Sequence, residues 1–176
     1  KMKDGYTPDQ SGAVYQSTDM AERFSGVVPQ LLNSLRQESK VEAFINDPRQ
    51  VGQEKHDGER RPIRADTSKV DGINKEGIIV SLPVSVAATI QSLASQLLVD
   101  GEIMGERFVA FDLLELNNQD LRALPYEERL EKLTELFEAA SDLGTVELVY
   151  TARTTEEKRR LFNALRDHKA EGMVFK

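Results

Sequence analysis

Between residues 50 and 116 the chain is cut every few residues by turn signals, namely Asp57-Gly58, Asp66-Thr67-Ser68, Glu76-Gly77 and Gly105-Glu106. The stretches left between them, residues 50–55, 60–65, 69–73, 78–82, 98–104 and 107–116, are mostly too short for stable helices and rich in β-branched or aliphatic residues. Short strands joined by tight turns pair antiparallel, because a parallel crossover needs a dozen or more residues. A meandering antiparallel sheet is therefore expected over this region.

Helical patterns interrupt and flank the meander. Val28, Leu31, Leu32 and Leu35 fall at helical spacing, and Val41, Phe44 and Ile45 form a second short face that stops before Pro48, so two short helices are expected there. Pro83 opens a helix carrying Val86, Ile90, Leu93 and Leu97. Pro125 opens the longest, striped by Leu130, Leu133, Leu136, Phe137 and Ala140. A strand over residues 146–151 then leads to a helix capped by Thr154 or Thr155, with Glu156 and Glu157 in its first turn and Leu161, Phe162 and Leu165 on its buried face. A last strand covers residues 172–176. Strands in runs with interspersed helices, and no regular βαβ alternation, indicate an α+β protein with a largely antiparallel sheet.

A length of 176 residues fits one domain with an arm. Residues 1–25 carry Gly, Pro and Ser without periodicity and read as a linker or flexible arm, leaving 26–176 for the domain. The net charge of −7 removes the basic footprint of an autonomous nucleic-acid binder, so any DNA contact must be local. No apolar run approaches the roughly 20 residues of a membrane span. The absence of cysteine excludes disulfides, thiolate nucleophiles and cysteine metal sites, and a reducing cytoplasmic setting fits.

Chemistry concentrates at Gln53-Glu54-Lys55-His56-Asp57-Gly58-Glu59-Arg60, where a strand ends in an Asp-Gly turn and the next begins with arginine. Alternation puts Gln53 and Lys55 on one face and Glu54 on the other, and the turn is expected to bring Asp57 and Arg60 back toward the lysine. A solvated charged hairpin has the same pattern. Lys69-Val70-Asp71-Gly72 repeats the Lys-x-Asp-Gly pattern, but Asn74 stands where Lys55 has Arg60. Phe111 in a central strand reads as core or as a flat surface for a purine. His56 and His168 lack ligand spacing, so no zinc site is expected.

Further elements follow Lys55 in order: Asn74-Lys75-Glu76-Gly77, Asp100-Gly101-Glu102, Phe111-Asp112-Leu113-Leu114 and Glu171-Gly172-Met173-Val174-Phe175-Lys176. From residue 29 to 176 this series resembles the covalent nucleotidyltransferases, and most closely the adenylation domain of ATP-dependent DNA ligases. The resemblance implies an antiparallel-sheet nucleotidyltransferase domain, of the DNA ligase and mRNA capping enzyme kind and ATP-grasp-like, here incomplete. It implies that Lys55 becomes adenylated, with Asp57 and Arg60 completing the catalytic element. It further implies that Gln53, Glu54, Lys55, Arg60, Lys75, Glu102, Phe111 and Lys176 hold the nucleotide and that Glu171 binds Mg²⁺. ATP, Mg²⁺ and, in the full-length protein, nicked DNA are the implied cofactors and partners, in a monomer without a membrane. Attack on an α-phosphate needs a neutral amine, and a divalent cation with oxygen ligands suits the charge that develops on the triphosphate.

The series departs from the family in three ways. Asn74-Lys75-Glu76-Gly77 replaces a Ser-Arg-x-Gly element, Gln53 stands two before the lysine where the family often has Glu, and no Lys-x-Lys element follows Glu171-Gly172 within the sequence, so a fragment that adenylates weakly or not at all and does not itself seal nicks is expected. An RNA ligase, a capping-type guanylyltransferase and a nucleotide-binding module without turnover share the motif set and stay open.

Overall fold

The computed structural model describes residues 14–18, 20, 23–35 and 37–176. The rest of the expected arm, residues 1–13, 19, 21 and 22, lies outside the described residues. In chain order the elements are α1 (Glu38–Asn46), β1 (Gly52–Lys55), β2 (Glu59–Arg60), β3 (Ile63–Ala65), β4 (Val70–Ile73), β5 (Ile79–Val80), α2 (Val84–Leu93), β6 (Leu97–Met104) and β7 (Arg107–Leu116). They continue with β8 (Gln119–Asp120), α3 (Tyr126–Glu138), β9 (Val146–Leu148), β10 (Thr151–Ala152), α4 (Thr155–Asp167) and β11 (Gly172–Phe175). No described helix is long and apolar enough to cross a membrane. The chain divides into two compact units, Lys1–Pro29 with Gly58–Leu148, and Gln30–Asp57 with Val149–Lys176.

The larger unit is built on a sheet in the order β5-β4-β3-β6-β7-β8, with β2 also on β6 and β9 on β7. Every pairing in it is antiparallel except β7 with β9. The β6–β7 hairpin turns at Gly105, whose φ of 62° suits the first position of a type II′ turn. Asn117 and Asn118, with φ of 49° and 65°, turn β7 into β8 in the manner of type I′, a short hairpin the periodicity did not suggest. Leu82, Val86 and Ile90 from the α2 side and Leu130, Leu133 and Phe137 of α3 join Ile63, Val99, Phe108 and Leu113 in one apolar core. From the expected arm, Gln16 N–H donates to Leu82 O at 2.7 Å, and Phe24 bridges Ile78.

The smaller unit has a sheet in the order β10-β1-β11 with α1 and α4. Thr154 caps α4: its Oγ1 accepts from Glu157 N–H at 3.1 Å, and Glu157 Oε2 accepts from Thr154 N–H at 3.0 Å. Lys158, fully buried on the same helix, donates from Nζ to the carbonyls of Asp47 at 2.6 Å, Gln50 at 2.8 Å and Phe44 at 3.4 Å. Burial lowers its pKa, partly opposed by the nearby Asp47 carboxylate. One side chain thereby ties the carboxyl end of α1 and the entry to β1 to α4.

Four expectations need correcting. The helix over 28–35 is absent, and Val28, Leu31, Leu32 and Leu35 are exposed. Pro29 interrupts the segment, and short helices depend on burying an apolar face, which this one does not do. Helix α2 stops at Leu93, where Ser92 Oγ donates to Thr89 O at 2.7 Å, and Leu97 instead begins β6 opposite Ala65 and Leu116. The strand over 60–65 is split into β2 and β3 because Pro62 has no amide for the ladder, although Arg61 N–H still reaches Gly101 O at 2.8 Å. The strand over 146–151 is two strands, β9 and β10, one in each unit.

Candidate functional site

In the smaller unit the last residue of β1, Lys55, pairs in register with Gly172, the first residue of β11. That register sets Lys55 beside Glu171, and Nζ donates to Glu171 Oε1 in an ion pair. Both side chains are little more than a third exposed, at 37% and 38%, so the pair remains open to a ligand. A Cβ at Gly52 would meet the flexible end of Met173 and come within 3.3 Å of Lys158 Cγ. Gln53 is buried, and its Nε2 donates to Thr151 Oγ1 at 2.9 Å. Glu54 Oε1 stands 3.9 Å from His56 Nδ1. Asp57 is exposed, and Lys176 exchanges backbone hydrogen bonds with Val51 at 2.9 and 3.1 Å.

The larger unit holds Arg60, Glu102 and Phe111. Arg60 pairs across the strands with Glu102, and its Nη2 and Nε donate to the buried Asp100 carboxylate at 2.7 and 3.3 Å. The same guanidinium lies over the Phe111 ring, 5.6 Å from its centroid. Along β6 and β7 the register passes from Asp100↔Asp112 to Gly101↔Ala110, so Phe111 is the extra residue of a β-bulge. Two buried acids, Asp100 and Asp112, thus stand directly opposite each other, a destabilising arrangement unless each is compensated. Asp100 has Arg60, and Asp112 has Arg129, which donates Nε and Nη2 to its two oxygens at 2.8 and 2.9 Å. The Asp112 carboxylate in turn raises the Arg129 pKa above its usual value.

Lys75 sits in a rigid turn. Asn74 Oδ1 accepts from Glu76 and Ile78 N–H at 3.0 and 2.9 Å, and Gly77 adopts φ 81° where a Cβ would press on Val27 O. The Lys75 side chain is exposed and 3.8 Å from Glu76.

The ion pairs at the turn differ from those expected. Lys55 takes Glu171 and Arg60 takes Asp100, rather than either taking Asp57, because strand pairing presents them with carboxylates from β6 and from the residue before β11. The look-alike Lys69 is bound by Asp71 of its own Lys-x-Asp-Gly element at 2.9 Å. Among the described residues no group of three His, Cys, Asp or Glu side chains gathers as a metal cage. Magnesium needs no such cage, since it keeps several waters and binds through one or two carboxylates plus phosphates, and the half-exposed Glu171 fits that pattern. Sequence reasoning passed over Asp100, Arg129 and Lys158. Lys158 completes an i, i+3, i+4, i+7 stripe with Leu161, Phe162 and Leu165, which was the available signal.

The antiparallel sheet with flanking helices is similar in fold to the solved structures of ATP-dependent DNA ligases. Residues 105–176 match the family model of the ATP dependent DNA ligase domain. A structure of mycobacterial DNA ligase D complexed with ATP and MES is 22% identical, with a TM-score of 0.58 over 72% of this chain and 48% of that one. A structure from work on Lig E DNA ligases, described as DNA binding with a minimal scaffold, is 18% identical with a TM-score of 0.55, covering 85% of this chain and 62% of that one. The ATP-dependent DNA ligase from bacteriophage T7, in complex with ATP, is 14% identical with a TM-score of 0.53 over 80% of this chain and 60% of that one. The chain therefore spans about half the length of the mycobacterial structure and under two thirds of the other two. No curated protein matches the sequence.

Proposed function

We propose that this chain supplies the adenylation chemistry of an ATP-dependent DNA ligase. The observation that carries the proposal is the Lys55–Glu171 pair, in which strand register joins an accessible lysine to an accessible carboxylate. Lys55 Nζ gives up a proton and attacks the α-phosphorus of ATP; a P–N bond forms, the bond to the bridging oxygen breaks, and pyrophosphate leaves. In the full-length protein the AMP would then pass to the 5′-phosphate at a nick in DNA, and the adjoining 3′-hydroxyl would displace it to seal the strand. Glu171 would hold Mg²⁺, which would supply charge stabilisation to the triphosphate.

The remaining roles follow the family pattern. The resemblance assigns Gln53, Glu54, Arg60, Glu102, Phe111 and Lys176 to the nucleotide, Lys75 to a phosphate and Asp57 to the catalytic element. Phe111 is supported as a base-stacking surface by its place on the face of β7 opposite to that of the core residues Phe108 and Ala110.

Incubation with α-labelled ATP and Mg²⁺, followed by peptide mapping, tests the assignment. The label is expected on Lys55 and lost in Lys55→Ala, and ATP should outcompete GTP. Labelling of Lys69, or labelling that survives Lys55→Ala, would refute it. A preference for GTP would point to capping-type chemistry, and saturable ATP binding without a covalent adduct to a nucleotide-binding module.

A further inference from the structure

A bulge places Phe111 where a purine could stack, but it also disrupts the local ladder, so something must hold the displaced backbone in one conformation. The hydrogen bonds around Phe111 show what does. Its carbonyl accepts from Tyr126 Oη at 2.6 Å. On the far side, Leu113 N–H donates to Asp112 Oδ1 at 2.9 Å. The side chains that grip these two backbone groups are joined through Arg129, which binds both Asp112 oxygens and lies over the Tyr126 ring, 5.5 Å from its centroid. Arg129 Nη1 also donates to Leu124 O at 2.6 Å, anchoring the assembly to the segment that enters α3. The Arg129 and Asp112 side chains are only 15% and 12% exposed. Low exposure strengthens their pairing and makes the arrangement stiff.

We propose that Asp112, Arg129 and Tyr126 form a brace that fixes the Phe111 bulge and thereby sets the affinity for the nucleotide base. They are positioning residues: none is required to touch the nucleotide; Tyr126 holds the Phe111 carbonyl, Asp112 the Leu113 amide beyond it, and Arg129 joins the two. The inference rests on the reading of Phe111 as the base-stacking surface and deepens it by naming what presents the ring. Loss of the brace should let the ring wander from its presented position. The cost then falls on recognition of the base and spares the triphosphate.

That split is the test. Calorimetry on the whole chain compares ATP with inorganic tripolyphosphate, and melting is recorded for every variant. Tyr126→Phe deletes one oxygen and keeps the packing; it should weaken ATP binding about three- to ten-fold, the range of one hydrogen bond, and leave tripolyphosphate within two-fold. Arg129→Met should weaken ATP at least as much. Phe111→Ala should lose about ten- to a hundred-fold, as expected for a stacked base. Tyr126→Phe added to Phe111→Ala should then cost nothing further, because both act through the same ring. Should Arg129→Met fail to fold, Tyr126→Phe and the double variant decide the matter alone.

Tyr126→Phe binding ATP as the parent chain does, while Phe111→Ala binds it ten-fold worse, would overturn the brace and leave stacking standing. Equal losses for ATP and tripolyphosphate would also overturn it, since the network would then support the fold at large. Unchanged ATP affinity in Phe111→Ala, or no ATP binding by the parent chain, would remove the stacking reading and the brace with it.

Discussion

Replacing Lys158 by methionine tests whether a buried cation organises the smaller unit. The substitution keeps an unbranched stem of similar length and removes only the ammonium, so cavity formation is a minor contribution. Three hydrogen bonds disappear, two of them at 2.6 and 2.8 Å and one weaker at 3.4 Å. Bonds to a charged donor contribute about 1.5–3 kcal/mol each, and a cation at the carboxyl end of a helix adds up to about 1 kcal/mol. Against this, methionine escapes the several kcal/mol of desolvation that a fully buried ammonium incurs. Asp47 O and Phe44 O each also accept from a backbone amide, Gln50 N at 3.2 Å and Asp47 N at 3.3 Å, so the heaviest loss falls on Gln50 O. The balance is a net destabilisation of about 2–4 kcal/mol. For a chain of this size that corresponds to a fall in Tm of about 5–15 °C. Urea unfolding followed by far-ultraviolet circular dichroism, with thermal melting on the same samples, measures both. A change smaller than about 0.5 kcal/mol, or a gain, would show that desolvation cancels the hydrogen bonds and that Lys158 is not what ties α1 to α4.

Gly101→Ala should destabilise the larger unit by about 1–3 kcal/mol in urea unfolding, because the new methyl meets the Phe108 ring and the unyielding Val109 carbonyl. Thr154→Ala removes the cap of α4 and should cost about 1 kcal/mol, whereas Thr155→Ala should be close to neutral, a contrast readable in the same assay. Asp47 is held at about 2, below its usual 3.8, chiefly by the hydrogen bond from the Arg49 side chain. A depressed carboxylate contributes stability above its unfolded pKa that fades as pH falls through 3.8 toward 2, so Arg49→Ala should raise the Asp47 titration midpoint seen by NMR and flatten stability loss over that interval. An unmoved midpoint would contradict the assigned cause.

Much of the fold was legible because its punctuation is local. The Asp66-Thr67-Ser68, Glu76-Gly77 and Gly105-Glu106 turns mark hairpins without reference to anything distant, and Pro125 and Thr154 announce helix starts. What escaped depends on partners that lie far along the chain. The helical spacing at Val28–Leu35 is real, yet spacing alone does not supply a surface to bury it. The bulge at Phe111 was written in the core residues Phe108, Ala110 and Leu113, where the alternation slips by one, but recognising a slip requires knowing which face is inside. In the site, the Lys55 element could be singled out from its Lys69 imitation by Arg60 and the later motifs. The carboxylates that bind Lys55 and Arg60 could not be read from that turn, because β6 and the start of β11 deliver them. Arg129 and Lys158 look like surface charges on amphipathic helices until the strands beneath them are in place.

The smaller unit is discontinuous in sequence, while most of the larger one is an uninterrupted run from Gly58 to Leu148 inserted between its halves. During synthesis that inserted run emerges complete and can begin to fold while β1 still waits for β10 and β11. Lys55 meets its carboxylate 116 residues later, and Gln53 its threonine 98 residues later. At about 5–20 residues per second a ribosome takes on the order of ten seconds to cover that distance. For that interval the nascent chain carries Lys55 on an unpaired edge with half a sheet missing, and the Lys55–Glu171 pair forms only after the intervening run has been made.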